Sequence, residues 1–126
     1  MLILIDTHIA LWLYAGLAER LPKPARALIE ERAPRISPLV ALELTYLHEV
    51  GKARDSASTM LAALRQSIGL EVADASFADL IDRAVDLSWT RDPFDRLIAA
   101  HAIVADAPLV TADETIRKHL ALATWD

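Results

Sequence analysis

The chain of 126 residues contains no cysteine. That absence removes disulfides, thiolate metal sites and cysteine nucleophiles together, and leaves carboxylate and imidazole as the strong metal ligands. It suits a reducing compartment, and a cytoplasmic protein is the expectation. No long apolar run is present: the stretch from Ile9 to Ala18 is the longest and falls well short of the about 20 residues a membrane helix requires. Met1 is followed by no positively charged leader segment. Repeats, linkers and low-complexity tracts are lacking too, so one domain over residues 1–126 is expected. Positive charge is scarce. Thirteen Lys and Arg against 18 Asp and Glu give a net charge of −5, which argues against a protein held on nucleic acid by a general positive field. His8, His48, His101 and His119 show no two-ligand zinc spacing and read as surface or partly buried side chains. Trp12, Trp89 and Trp125 are scattered and read as core or interface packing.

What is present is an alternation of short β-branched runs and helical stripes. Leu2-Ile3-Leu4-Ile5 is a fully apolar run that stops at Asp6, the pattern of a central parallel strand covered on both faces. A helix through Leu11 and Tyr14 follows, then one opened by Pro24 that ends before Pro34, then a short strand at Arg35-Ile36-Ser37. Ser37-Pro38 caps a helix running to Gly51, with Val40, Leu44 and Leu47 inward and Glu43 beside them. Asp55 or Ser56 caps a helix ending near Gly69, and Leu70 to Ala73 reads as a third strand. Ser76 starts a helix whose buried side is expected to carry Phe77, Leu80, Ile81, Ala84 and Leu87. Asp92-Pro93 opens another through Ile103, with Ile98, Ala99 and Ala102 inward. Strands at Leu109 to Thr111 and Leu122 to Thr124 bracket a short helix from Asp113 to Lys118. Helices between most strands imply right-handed crossovers, hence an α/β fold of three layers with a central parallel sheet flanked by helices.

Four carboxylates stand out against this frame. Asp6 and Asp113 follow strands directly; Glu43 and Asp95 lie beside the apolar stripes in early turns of helices that follow strands or loops. Open parallel sheets bind ligands beyond the carboxyl ends of their strands, where the order of strands reverses, so the four are expected to be neighbours. Crowded carboxylates repel and raise one another's pKa values unless a cation intervenes. Hard oxygen ligands favour Mg²⁺, with Mn²⁺ as substitute, and such a site acts on phosphodiesters through metal-activated water, leaving a 5′-phosphate and a 3′-hydroxyl. Thr111, two residues before Asp113, is an accessory candidate for holding water or a phosphate oxygen. Plainer roles exist for each. Asp6 and Asp113 are placed to cap the helices after them, and Asp92 has the position of an N-cap with Asp95 three residues on, as in a capping box. Glu43 and Asp95 require a buried partner such as Arg96 if they are structural.

The motifs LILIDTHIALW, ISPLVALEL, RDPFDRLIAAHA and LVTADE run nearly end to end along the chain. With them it resembles the PIN-domain ribonucleases, and most closely the VapC toxins of type II toxin–antitoxin pairs. The third motif is the most specific. Position by position, the resemblance implies that Asp6, Glu43, Asp95 and Asp113 are the metal-binding quartet, with Asp92 as an accessory. It further implies an endoribonuclease acting on a structured RNA such as a tRNA or ribosomal RNA loop, a homodimer, and silencing by a small VapB-like antitoxin that lays itself in an apolar groove. Thr90 stands where the subfamily commonly has His, and His101 where it commonly has Gln; neither is one of the four acids. Three other classes stay open on sequence: a PIN-like scaffold that binds without cutting, a DNA-directed nuclease of related fold, and a phosphoacceptor receiver domain. The last needs a lysine ending its final strand, and Arg117 and Lys118 lie before that strand instead.

Overall fold

The computed structural model describes residues 2–126. Five strands form one sheet: β1 (Leu2–Ile5), β2 (Ala33–Ile36), β3 (Glu71–Val72), β4 (Leu109–Val110) and β5 (Ala123–Thr124). Seven helices cover it: α1 (Thr7–Tyr14), α2 (Lys23–Glu31), α3 (Pro38–Glu49), α4 (Ala57–Ile68), α5 (Phe77–Ala84), α6 (Pro93–Ala105) and α7 (Glu114–His119). Every strand pair is parallel and the order is β3-β2-β1-β4-β5. The three-layer α/β architecture expected from the sequence is therefore the one observed. β1 is central, and Ile3, Leu4 and Ile5 are wholly buried, as an all-apolar strand with helices on both faces must be. The chain leaves β1 to build β2 and β3 on one side and returns to build β4 and β5 on the other, so the reversal of order falls between β1 and β4.

Local chemistry sets the boundaries. Ser37, Ser56, Ser76 and Asp92 cap α3, α4, α5 and α6 through their side-chain oxygens. Gly69 closes α4 at φ 69°, a left-handed conformation that costs glycine nothing. Ser56, not Asp55, caps α4; Asp55 instead accepts a hydrogen bond from the Tyr14 hydroxyl on α1. β2 begins at Ala33 and takes in Pro34, earlier than the expected start at Arg35. The Ile36 carbonyl faces β3, accepting from Ala73 N at 2.8 Å. Pro34 therefore faces the same side two residues earlier, before β3 has begun opposite Arg35, so its missing N–H leaves no partner unpaired.

One expectation about packing is corrected. Leu80 and Ala84 of α5 are buried, but Phe77 is 64% and Ile81 40% exposed. α5 is only eight residues long and packs chiefly on α6, so a single narrow stripe turns inward. Phe77, Ile81 and Val85 form an exposed apolar line at i, i+4, i+8, and Leu42, Tyr46 and Val50 form a second along α3. Trp12, Trp89 and Trp125 all pack against the core, as expected. His101 departs from its reading as a surface or partly buried group: it is wholly buried in α6, both ring nitrogens lack partners among the described residues, and burial holds its pKa below the usual imidazole value.

Candidate active site

Asp6 is the first residue beyond β1 and is buried because the sheet edge and α1 close over it. Its Oδ1 accepts from Thr7 N at 2.7 Å, and its Oδ2 from the Thr111 hydroxyl at 2.6 Å. Thr111 is itself wholly buried directly after β4, so its side chain is committed to orienting Asp6. The Thr111 Oγ1 also accepts from Asp113 N at 3.1 Å, which fixes the loop that carries the exposed Asp113. Asp113 caps α7, accepting from Ile116 N at 2.9 Å. Thr7, in the first turn of α1, donates its hydroxyl to Glu43 of α3. One short segment, Asp6-Thr7, thus links β1, β4 and α3.

Asp95 lies in the first turn of α6. Asp92 is the N-cap, accepting from Phe94 N at 2.8 Å and Asp95 N at 3.1 Å. The reciprocal half of a capping box is missing, because Asp92 N donates to Thr90 Oγ1 instead and Asp95 is left facing the cleft without that bond. Arg96, the partner that a structural role for these acids required, turns away and donates from Nε to the Thr90 carbonyl at 2.8 Å. The ion pairs Arg65–Glu71 and Arg117–Asp126 involve none of the four acids.

Electrostatics bring the acids together. The Asp95 pKa is pushed up to about 7, first by burial and then by the charges of Asp92, Asp6, Asp113 and Glu43. Glu43 is raised by burial and by Asp6 and Asp92, against the hydrogen bond from Thr7. Asp6 is raised by burial despite its two donors, with Asp113 adding to the shift. All four predicted acids and Asp92 therefore share one field. The positive group that Asp6 and Glu43 feel is His8, exposed on α1 two residues past Asp6. Sequence reading set His8 aside with the other histidines, although its place in the first turn after an edge acid was the available signal. Thr7 was missed because a threonine starting a helix is ordinary.

The donor set is oxygen only and opposed by no Lys or Arg in these shifts, which fits a hard divalent cation. Among the described residues no three carboxylate or imidazole groups close round one point. Mg²⁺ does not demand that, since it keeps several waters and takes one or two carboxylates together with substrate oxygens.

Replacing Thr111 with Val is expected to remove the donor to Asp6 Oδ2, raise the Asp6 pKa further and cost about 1–3 kcal/mol of stability. A carboxyl-carbon NMR titration and urea unfolding check both, and an unmoved Asp6 titration would mean that the hydroxyl does not hold the carboxylate.

Acids grouped at the order reversal of a five-stranded parallel sheet mark the class: a three-layer α/β domain whose strand ends carry its candidate site. The PIN domain description matches residues 3–120, and the chain belongs to the PIN domain family. A chain from the crystal structure of VapBC2 from Rickettsia felis bound to a DNA fragment from their promoter is similar in fold, with a TM-score of 0.72 and 23% sequence identity, the match covering 100% of both chains. No curated protein matches the chain.

Proposed function

We propose that the chain is a VapC-type toxin: a metal-dependent endoribonuclease that cuts a structured RNA of the tRNA or ribosomal RNA class and is neutralised by a VapB-like antitoxin. The observation that carries this reading is Asp95, whose carboxyl feels four other acids at one sheet edge with no basic partner. Membership of the PIN family and the likeness in fold to a chain of a VapBC complex support it.

In this reading Asp6, Glu43, Asp95 and Asp113 would hold Mg²⁺ or Mn²⁺, with Asp92 flanking them. A divalent cation there supplies the Lewis acidity that prepares water to attack a phosphodiester and neutralises charge on the leaving oxygen. Asp6 is the fixed reference of the site, oriented by Thr7 and Thr111. Thr7 sets Glu43, and the turn capped by Asp92 sets Asp95. The N-termini of α1, α3 and α6 open at the same edge, where their dipoles favour a phosphate. Thr111 acts through Asp6 and not on substrate. The exposed apolar lines on α3 and α5 support a homodimer, since contiguous exposed apolar surface marks interaction sites.

Incubating end-labelled RNA and DNA of one sequence with the protein and Mg²⁺ tests the reading. RNA alone is expected to be cut, cleavage to stop in EDTA, and excess Mg²⁺ to restore it. Cutting that continues in chelator removes the metal mechanism, preferential cutting of DNA removes the ribonuclease, and binding without cutting favours the silent scaffold.

A further inference from the structure

Resting on the ribonuclease reading, we infer that Trp12 and Trp125, with the cations around them, form a stacking platform for a single-stranded stretch of RNA leading into the acidic cleft. Trp125 directly follows β5, whose Thr124 is level with Val110 of β4, itself level with Ile5 of β1. Trp125 therefore stands on the same sheet edge as Asp6, two strands away, a separation of about 10 Å. Its ring meets that of Trp12 on α1 at 6.2 Å with a tilt of 56°. Each indole has its own cation: the Arg20 guanidinium lies 5.6 Å from the centre of Trp12, and that of Arg117 5.8 Å from the centre of Trp125. Both rings are only half-buried.

The groove beside Trp12, of about 470 Å³, adds Lys52 and Arg54, with Asp55 held there by the Tyr14 hydroxyl. Neither forms an ion pair with another described residue, and Arg117 is held by a 3.6 Å pair to the exposed Asp126 alone. Two guanidinium groups on the indoles, with Lys52 and Arg54 in the neighbouring groove, outnumber the acids Asp55 and Asp126 beside them in a chain of net charge −5. Core packing accounts for the inward edges of the tryptophans but calls for no cations on them. Single-stranded RNA calls for both: flat π surfaces on which bases stack, and guanidinium and ammonium groups for the phosphates between them. An acidic polypeptide would use the cations and leave the ring surfaces unexplained.

The test is a fluorescence titration of the full-length chain in EDTA, where nothing is cut, with a short oligouridylate as probe. Binding is expected to quench tryptophan emission. Trp125→Ala, next to the chain end, is expected to weaken binding about tenfold, and Trp125→Phe to restore most of it. Arg20→Ala is expected to weaken binding and reduce its salt slope by about one. Unchanged affinity in Trp125→Ala and Arg20→Ala overturns the platform, as does tighter binding of polyglutamate than of oligouridylate. Cleavage of RNA in Mg²⁺ by the unaltered chain is scored separately. Intact cleavage with unchanged Trp125→Ala affinity rejects the platform alone, whereas binding by the unaltered chain that is about tenfold weaker in Trp125→Ala, without any cleavage, keeps the platform and rejects the nuclease.

Discussion

Asp95→Asn is expected to lower RNA cleavage by more than about 100-fold, because loss of a group that merely supports a metal ligand already costs about 10–100-fold, and in the proposed function Asp95 is itself a ligand. Single-turnover cleavage of labelled RNA with Mg²⁺ measures it. The same substitution should leave the protein as stable as before, or more stable. Asn keeps the shape of the side chain and its place in the first turn of α6, and removes a charge that four neighbouring acids oppose. Active-site strain of this kind is stored in the fold and released by such a change. A variant that loses cleavage and several kcal/mol of stability together would identify Asp95 as a structural acid instead.

The second large effect is in the pH dependence of that gain. The Asp95 pKa is raised from the ordinary value of 3.8 to about 7 in the folded protein. A raised folded pKa means that the native state binds more protons than the unfolded chain between those values. The stability that this extra binding contributes is fully present below the unfolded pKa and is lost as the pH rises through about 7. Taken whole, the shift corresponds to about 4 kcal/mol, and solvent screening of a half-exposed group reduces it to about 1–2 kcal/mol. Urea unfolding without divalent cations should therefore show Asp95→Asn approaching the unaltered chain only as the pH falls toward about 4, and more stable by about 1–2 kcal/mol at pH 8. Comparing the two proteins at each pH cancels His101, whose lowered pKa works in the opposite direction at the acid end. Mg²⁺ at pH 8 should stabilise the unaltered chain more than the variant, by mass action on the folded state. A difference that shrinks from pH 5 to pH 8 would show that the acids are not crowded.

The sheet and its helices were legible because the sequence repeats one consistent pattern. LILI can only be a strand covered twice, and Ser37-Pro38 and Asp92-Pro93 announce helices whose first turns carry or adjoin an acid. The grouping of Asp6, Glu43, Asp95 and Asp113 was legible for the same reason, since parallel topology sends every strand end to one edge. What escaped was set by tertiary contacts that no periodicity encodes. Thr7 reaches Glu43 across 36 positions and Thr111 reaches Asp6 across 105, and neither threonine differs in type from an ordinary capping or strand residue. Phe77 and Ile81 fit a buried stripe by spacing, yet α5 has too little neighbouring surface to cover them. His101 has the spacing of a core residue and a side chain that suggests the surface; packing decided in favour of the interior.

The double anchoring of Asp6 separates two kinds of evolutionary freedom. Its orientation depends on the backbone amide of Thr7 at the start of α1 and on the buried hydroxyl of Thr111 directly after β4. If the proposed ribonuclease reading holds, substitutions further out on the rim can redirect which transcripts gain access while Asp6 keeps its alignment, so chains sharing this scaffold are free to diverge in target before they diverge in chemistry.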